Sequence, residues 1–460
     1  MARIRVLSVA SEVFPIVKTG GLADVVGALP EVLARESVDV VTLVPGYRSV
    51  LAAMPDARTV LRLGGLFGGE ARVLAGQAAG LELYVLDAPH LFARPGGPYA
   101  APDGSDWPDN AFRFAALSQV GARIGTGAIE NDRPDIIHVH DWQAGLVPAY
   151  LHYWGATGPA TIITVHNLAF AGRFGRELLM PLGFPPYAFA IDGIEYFGAI
   201  SFLKAGLQFA DRITTVSPTY ALEITTPTSG MGFDGLLRAR SARFSGILNG
   251  IDGHVWDPAH DALIPAAYDA ARLDARTPNT TALRRRFALD DDPAALLVGI
   301  VSRLSWQKGL DLLLEALPAL VTRGVQFVVL GTGDAGLESG FSQSVSRFSG
   351  RVGVFIGYDE GVAHLIQAGA SAILVPSRFE PCGLTQLCAL RYGAIPIVSR
   401  VGGLADTVID ANEMALAAGV GTGIQFAPPT GEALEMAVVR AAALFGQRPV
   451  WERMQRNAME

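Results

Sequence analysis

A short aliphatic, β-branched run, then a glycine-, proline- or polar-rich turn, then an amphipathic segment recurs along almost the whole chain. That alternation marks strand–helix–strand units, whose strands lie parallel because the crossover segment carries the chain back across the sheet. In the first half the runs fall at residues 5–9, 38–44, 81–86, 135–140, 161–166 and 213–216. In the second half they fall at 296–301, 325–330, 352–356, 372–375 and 395–399. Nearly all lack polar alternation, as strands covered on both faces should. After the first run, Leu22, Val25, Val26, Leu29, Val32 and Leu33 recur at helical spacing, so a helix is expected to begin near Gly21, with Pro30 bending it. No short-period repeat or low-complexity tract interrupts the pattern, which leaves solenoid and propeller folds without support.

The alternation pauses from about 245 to 295, where Asn249-Gly250, Asp252-Gly253, Asp257-Pro258 and Asp290-Asp291-Asp292-Pro293 supply turns and breakers. A chain of 460 residues is too long for one ordinary core, since domains commonly close at about 100 to 250 residues. Two doubly wound α/β domains are therefore expected, 1–244 and 245–460. Half the residues are hydrophobic and 17% are charged, which suits well-covered sheets and excludes disorder. The net charge of −8 argues against a general nucleic-acid binder, so an anionic ligand has to meet local cations. Two cysteines, Cys382 and Cys388, exclude a disulfide scaffold. The run Val6-Leu7 is broken at once by Ser8, Ser11 and Glu12, and no apolar stretch approaches the ~18 residues that span a bilayer. A cytoplasmic protein without membrane or nucleic-acid partners is expected.

In open parallel sheets ligands bind beyond the carboxyl ends of the strands. Those positions carry Lys18-Thr19-Gly20-Gly21, His140-Asp141-Trp142 and His166-Asn167 in the first half. In the second they carry Ser302-Arg303, Lys308-Gly309, Gly331-Thr332-Gly333-Asp334 and Glu380-Pro381-Cys382-Gly383. Two such rims facing each other would make a cleft. Adjacent glycines before a helix let backbone N–H groups approach an anion, and Lys18 adds a point charge, although a glycine turn of structural use fits the same residues. Gly331-Thr332-Gly333 reads rather as a tight turn. Arg303 and Lys308, five apart after a strand, are either a solvated surface pair or a device to neutralise a departing diphosphate. His138 and His140 share a strand face and His166 ends the next run, a spacing open to a metal, but no further ligand motif completes a set. Asp141 suits a sugar-hydroxyl or acid/base contact better. Cys382 has no adjacent base to make it a nucleophile. Glu380, before an expected helix, fits a first-turn helix residue or a carboxylate serving glycosyl transfer.

Taken together, Lys18-Thr19-Gly20-Gly21-Leu22-Ala23-Asp24-Val25, His138-Val139-His140-Asp141-Trp142, Thr215-Val216-Ser217-Pro218 and Asn249-Gly250-Ile251-Asp252 resemble the bacterial glycogen synthases. So do Ser302-Arg303-Leu304 with Gln307-Lys308-Gly309, and Pro376-Ser377-Arg378-Phe379-Glu380-Pro381-Cys382-Gly383-Leu384, all in family order. The resemblance implies a GT-B fold, two Rossmann-like domains with the active site in the cleft between them. It implies transfer of glucose from ADP-glucose, with retention, to the non-reducing end of an α-1,4-glucan, without metal or organic cofactor. By the same resemblance Lys18 and the Gly20 and Gly21 amides would hold the donor diphosphate, with Asp24 near the acceptor or glucose side and Tyr99 as a further donor contact. His166 and Asn167 would contact the glucose, and Asp141 would lie by the reacting centre. Arg303 and Lys308 would stabilise the leaving ADP, Glu380 with the Cys382, Gly383 and Leu384 amides would grip the sugar, Tyr358 would lie against the adenine, and Thr385 would touch the distal phosphate. Front-face attack is the expected route to retention, since no convincing enzyme nucleophile is present. Family members continue past the equivalent of Met459-Glu460 into a tryptophan-containing segment and a helix on the first domain, so weaker interdomain support is expected here. A UDP-glucose enzyme, or an inactive glucan-binding protein, are the competing expectations.

Overall fold

A computed structural model describes residues 3–460. The chain divides into two units, one ending at Ile247 and one beginning at Leu248.

The eleven expected strands all form, each within a residue of its expected ends. In the first unit seven of its strands run parallel, in the order Phe244–Gly246, Arg212–Thr215, Ala160–Val165, Ile136–His140, Ile4–Val9, Val38–Pro45 and Leu81–Asp87. An antiparallel hairpin, Arg58–Leu66 and Gly69–Ala78, extends the sheet beyond Leu81–Asp87. Its two-residue turn holds Phe67 and Gly68, both at positive φ, so the residue pair that usually announces such a hairpin is absent. Helix Gly21–Arg35 follows the first strand as expected, with Pro30 inside it. Helix Asn110–Gly125 is buried along most of its length and packs Phe114 and Val120 into the same core as Leu7 and Val9.

The second unit is a six-stranded, wholly parallel sheet ordered Val352–Ile356, Gln326–Gly331, Leu297–Val301, Ala372–Val375, Ile395–Ser399 and Ile424–Phe426. Numbered along the chain that order is 3-2-1-4-5-6, the doubly wound arrangement. The stretch expected to be irregular contains one α-helix, Thr277–Arg286, entered through a 3-10 turn at Leu273–Arg276. It lacks an apolar stripe because polar side chains bury instead: Asn279 bonds the Ala266 backbone in both directions, and Arg284 bonds Gln326, Asp292 and Ala295.

Each sheet changes winding direction at one place. In the first unit it lies between Ile4–Val9 and Ile136–His140; in the second, between Leu297–Val301 and Ala372–Val375. Loops leaving those strand ends on opposite sides open a crevice there. The glycine loop and Asp141 follow the first pair, and the Arg303–Lys308 and Glu380 loops follow the second.

The last helix, Arg448–Met459, closes the second core with Trp451, 2% exposed and edge-on to Phe445 at 5.3 Å. Trp451→Ala should destabilise the second unit by about 3 to 5 kcal/mol. Chemical denaturation followed by intrinsic fluorescence would show it as an earlier transition.

Candidate active site

In the first unit the site begins with a residue the sequence left unassigned. Glu12, 2% exposed just past the first strand, accepts hydrogen bonds from the Thr19 backbone N–H, the Thr19 hydroxyl at 2.6 Å and the Tyr99 phenol. Ser11 meets the same phenol at 2.8 Å. A pair of backbone bonds between Val13 and Val17 closes the base of the loop. Glu12 therefore fastens both the glycine loop and Tyr99 to one buried carboxylate. Only its distant partners reveal this, which is why sequence spacing could not.

From this anchored loop Lys18 reaches 2.7 Å from Asp24, its ammonium 5.1 Å from the Phe14 ring centroid. Gly20 is extended, and a Cβ placed on it would meet nothing within 4 Å. Neither backbone angle nor packing demands glycine there, and no side chain caps the helix that follows. Open space, an uncapped helix N-terminus and an adjacent ammonium together suit an anion.

Gly402 and Gly403 look alike in sequence, also a pair opening a helix, yet there the positions of their Cβ atoms are filled by the backbone of Glu380 and Cys382. That pair serves close packing. Gly331 and Gly333 do likewise against Ser302 and Leu304, and the Gly333 N–H is spent on Glu338 at 2.8 Å, so this segment is the tight turn expected.

Asp141 is 7% exposed and sits at φ 54°, a left-handed conformation uncommon for a residue with a side chain. Its carboxylate accepts from the backbone N–H groups of His166 at 2.6 Å and Asn167 at 3.4 Å, which brings these three residues together. Burial pushes Asp141 up to about 7; the two N–H groups oppose that shift and the charge of Glu12 adds to it. His138, His140 and His166 lie in a row, their rings tilted to one another with centroids 4.2 and 5.3 Å apart. His140 meets His166 at 3.0 Å and Ser8 at 3.3 Å, while His138 meets Thr164 at 2.7 Å. Burial pushes His138 down to about 4 and His166 to about 3, and lowers His140 as well, so the row is neutral at pH 7. Four of their six nitrogens are occupied by one another and by hydroxyls, and among the described residues no group of three His, Cys, Asp or Glu side chains is arranged for a metal.

In the second unit Lys308 lies 2.6 Å from Glu380, and Ser377 donates to the same carboxylate oxygen at 2.7 Å. Glu380 is 5% exposed. Arg378 locks the two loops around this pair. It binds Asp311 through two nitrogens at 2.7 and 2.6 Å, donates to the Trp306 carbonyl at 2.7 Å and lies over the Trp306 ring at 4.6 Å. Gly309 is required at the loop's end: φ is +67°, and a Cβ would strike the Pro376 carbonyl. Arg303 is exposed and its guanidinium is held by no partner among the described residues.

Gln386 is fully buried and donates to the carbonyls of Cys382 at 2.9 Å and Gly383 at 2.8 Å. In a planar trans peptide the N–H points opposite the C=O, so the Gly383 and Leu384 amides face away from Gln386. Thr385 opens the next helix, its hydroxyl 3.4 Å from the Val301 carbonyl. Burial raises the Cys382 thiol to about 11, which leaves it a poor nucleophile. Tyr358 stands apart from this group, 66% exposed on the turn after Val352–Ile356.

Residues 5–239 match the model of the starch synthase catalytic domain, and 295–443 match that of glycosyl transferases group 1. Proteins named glycogen synthase from Rhodopseudomonas palustris strain BisB18 and from Methylocella silvestris are each 60% identical over 459 residues, covering 100% of this chain and 94% and 95% of theirs. The chain belongs to the glycogen synthase family. The catalytic domain of starch synthase IV from Arabidopsis thaliana, solved bound to ADP and acarbose, superposes with a TM-score of 0.89 at 30% identity, covering 100% of this chain and 95% of that one. A sucrose-phosphate synthase from Thermosynechococcus elongatus shares the fold at a TM-score of 0.60 and 18% identity. The chain is thus a glycosyltransferase with the GT-B architecture, two Rossmann-like domains each built on a parallel sheet. No helix among the described residues is long and apolar enough to cross a membrane.

In this glycogen synthase-family site Asp141 is the group with a usable titration. Its folded value stands above the ordinary carboxylate value, so the folded state holds the proton more tightly than the unfolded chain. The associated stability is full below about pH 4 and is lost as pH rises toward 7, at on the order of 1.4 kcal/mol per pH unit. Asp141→Asn keeps an oxygen for the two N–H groups and tolerates positive φ. Thermal unfolding at pH 5 and 8 should show that this substitution flattens the decline, and Asp141→Ala, which leaves the two N–H groups without an acceptor, should unfold earlier than Asp141→Asn at both.

Proposed function

We propose that the chain transfers glucose from ADP-glucose, with retention, to the non-reducing end of an α-1,4-glucan such as glycogen. The observation that carries the chemistry is the ammonium of Lys308 fixed 2.6 Å from buried Glu380 at the second unit's winding switch, with the unpaired guanidinium of Arg303 on the same loop as Lys308. Two cations there suit the negative charge that builds on a departing diphosphate. The identity of the polymer and nucleotide is supported by the relatives' name, glycogen synthase, and by ADP and acarbose on the related starch synthase.

The roles follow from where each group is held. In the second domain, assigned to 245–460, Glu380 accepts sugar hydroxyls while the Gly383 and Leu384 amides donate. Thr385 meets the distal phosphate and Tyr358 lies against the base. In the first, assigned to 1–244, Lys18 and the Gly20 and Gly21 amides hold the diphosphate, with Asp24 and Tyr99 beside them. The neutral imidazole of His166 and the Asn167 amide hold the glucose, and Asp141 lies by the anomeric carbon. With the Cys382 thiol buried and raised, retention proceeds by front-face attack: the acceptor hydroxyl bonds to the anomeric carbon as the bond to the phosphate oxygen breaks. The leaving phosphate takes the acceptor's proton. A cytoplasmic location belongs to the same reading, the two cysteines being free.

Nucleotide release should occur from ADP-glucose far faster than from UDP-glucose and only with glycogen present. Activity confined to UDP-glucose, or glycogen binding without turnover, would contradict the assignment. Lys308→Ala should lower kcat by about two to three orders of magnitude, as loss of a donor to developing charge does. A change in KM alone would remove that role. Turnover should persist in the presence of a chelator.

A further inference from the structure

The exposed ring of Tyr358 is tethered. Its phenol donates to the carboxylate of Glu360, two residues on, at the start of helix Glu360–Gly369. The other carboxylate oxygen of Glu360 lies 3.6 Å from Nε2 of His364, one helical turn further, an ion-pair distance beyond hydrogen-bond reach. The His364 side chain is only 2% exposed. Its ring stacks on Trp256 with centroids 4.0 Å apart and planes at 11°. Its Nδ1 is 2.7 Å from Asp261, whose same oxygen accepts the Tyr392 phenol at 2.6 Å. Burial alone would lower the imidazole, but Glu360 and Asp261 outweigh it and raise its value.

A line of charge and hydrogen bonds thus runs from an exposed aromatic ring into a buried cluster that also grips Tyr392, the residue ending helix Thr385–Arg391. An exposed tyrosine on a turn ordinarily samples several rotamers, and holding one in place costs side-chain entropy that a ligand would otherwise supply. We propose that Glu360, held by His364, is a positioning residue that fixes the Tyr358 ring as the platform for the nucleotide base. The inference rests on the assignment of Tyr358 to the base. Glu360 also suits the first turn of its helix and pairs with His364 at i,i+4, contributions to stability that would operate without Tyr358. What distinguishes positioning is coupling between the two residues.

ADP affinity of the full chain, measured by titration calorimetry, separates the cases. Tyr358→Ala tests the platform itself: unchanged affinity would end both that assignment and this inference. With the platform established, Glu360→Ala should weaken ADP about fivefold or more, and Glu360→Gln, which keeps an acceptor for the phenol, should recover part of the loss. Tyr358→Phe, which leaves the buried cluster untouched, should reproduce the loss, and the double variant Tyr358→Phe/Glu360→Ala should bind no worse than either single. For Glu360→Ala the KM for ADP-glucose should rise more than kcat falls, with the KM for glycogen unmoved. Wild-type ADP affinity in Glu360→Ala, or penalties that simply add in the double variant, would overturn the proposal.

Discussion

The contact between Lys308 and Glu380 organises the second unit's contribution to the site. A buried carboxylate beside an ammonium is costly to desolvate, and it holds only where geometry and further hydrogen bonds satisfy both groups. Ser377 supplies one such bond, and the bidentate Arg378–Asp311 pair holds the two loops at the spacing the contact needs. Gly309 allows the Lys308 loop to close against Pro376. The carboxylate of Glu380 and the amides past Cys382 are presented together because Gln386 and the Gly402-Gly403 pair pin the same segment from behind. The result is a set of charges and dipoles placed before any substrate arrives, the form of electrostatic stabilisation that needs no reorganisation during reaction.

The first unit solves a similar problem with a different part. There the fixed point is the buried Glu12 carboxylate, which holds the loop bearing Lys18 and orients Tyr99. Each unit keeps the lysine of its switch-point loop beside a carboxylate, Asp24 for Lys18 and Glu380 for Lys308, so neither ammonium is without a counter-charge. Asp141 is the exception: a buried carboxyl met only by backbone N–H groups and neighboured by neutral imidazoles, in a strained backbone conformation. Strain of that kind persists where the surroundings over-determine it, and such positions cluster at functional sites.

Hydrophobic runs made the parallel sheets legible in the sequence, because strands covered on both faces cannot alternate with polar residues. The hairpin at 58–78 was not legible, since its turn is Phe67-Gly68 rather than a familiar pair and its strands carry charges on an exposed face. Helix Thr277–Arg286 was hidden because Asn279 and Arg284 are buried by hydrogen bonding. The residues lining both switch points could be named from their places after strands and from the family resemblance. Their supports could not: Glu12 meets Tyr99 across 87 positions and Arg378 meets Asp311 across 67, partnerships that no local pattern encodes. Two glycine pairs before helices read identically, and only the space around Gly20 and the backbone packed against Gly402-Gly403 tell an open loop from a packed one.

The central claim is that protein cations, Lys308 foremost, meet the second phosphate of the nucleotide. The most direct measurement is the ratio of ADP to AMP affinity, by calorimetry with a chelator present, for the wild type and Lys308→Ala. The wild type should bind ADP far more tightly than AMP, and the substitution should abolish most of that difference. An unchanged ratio in Lys308→Ala, or a preference for ADP that appears only when a divalent cation is added, would contradict the account.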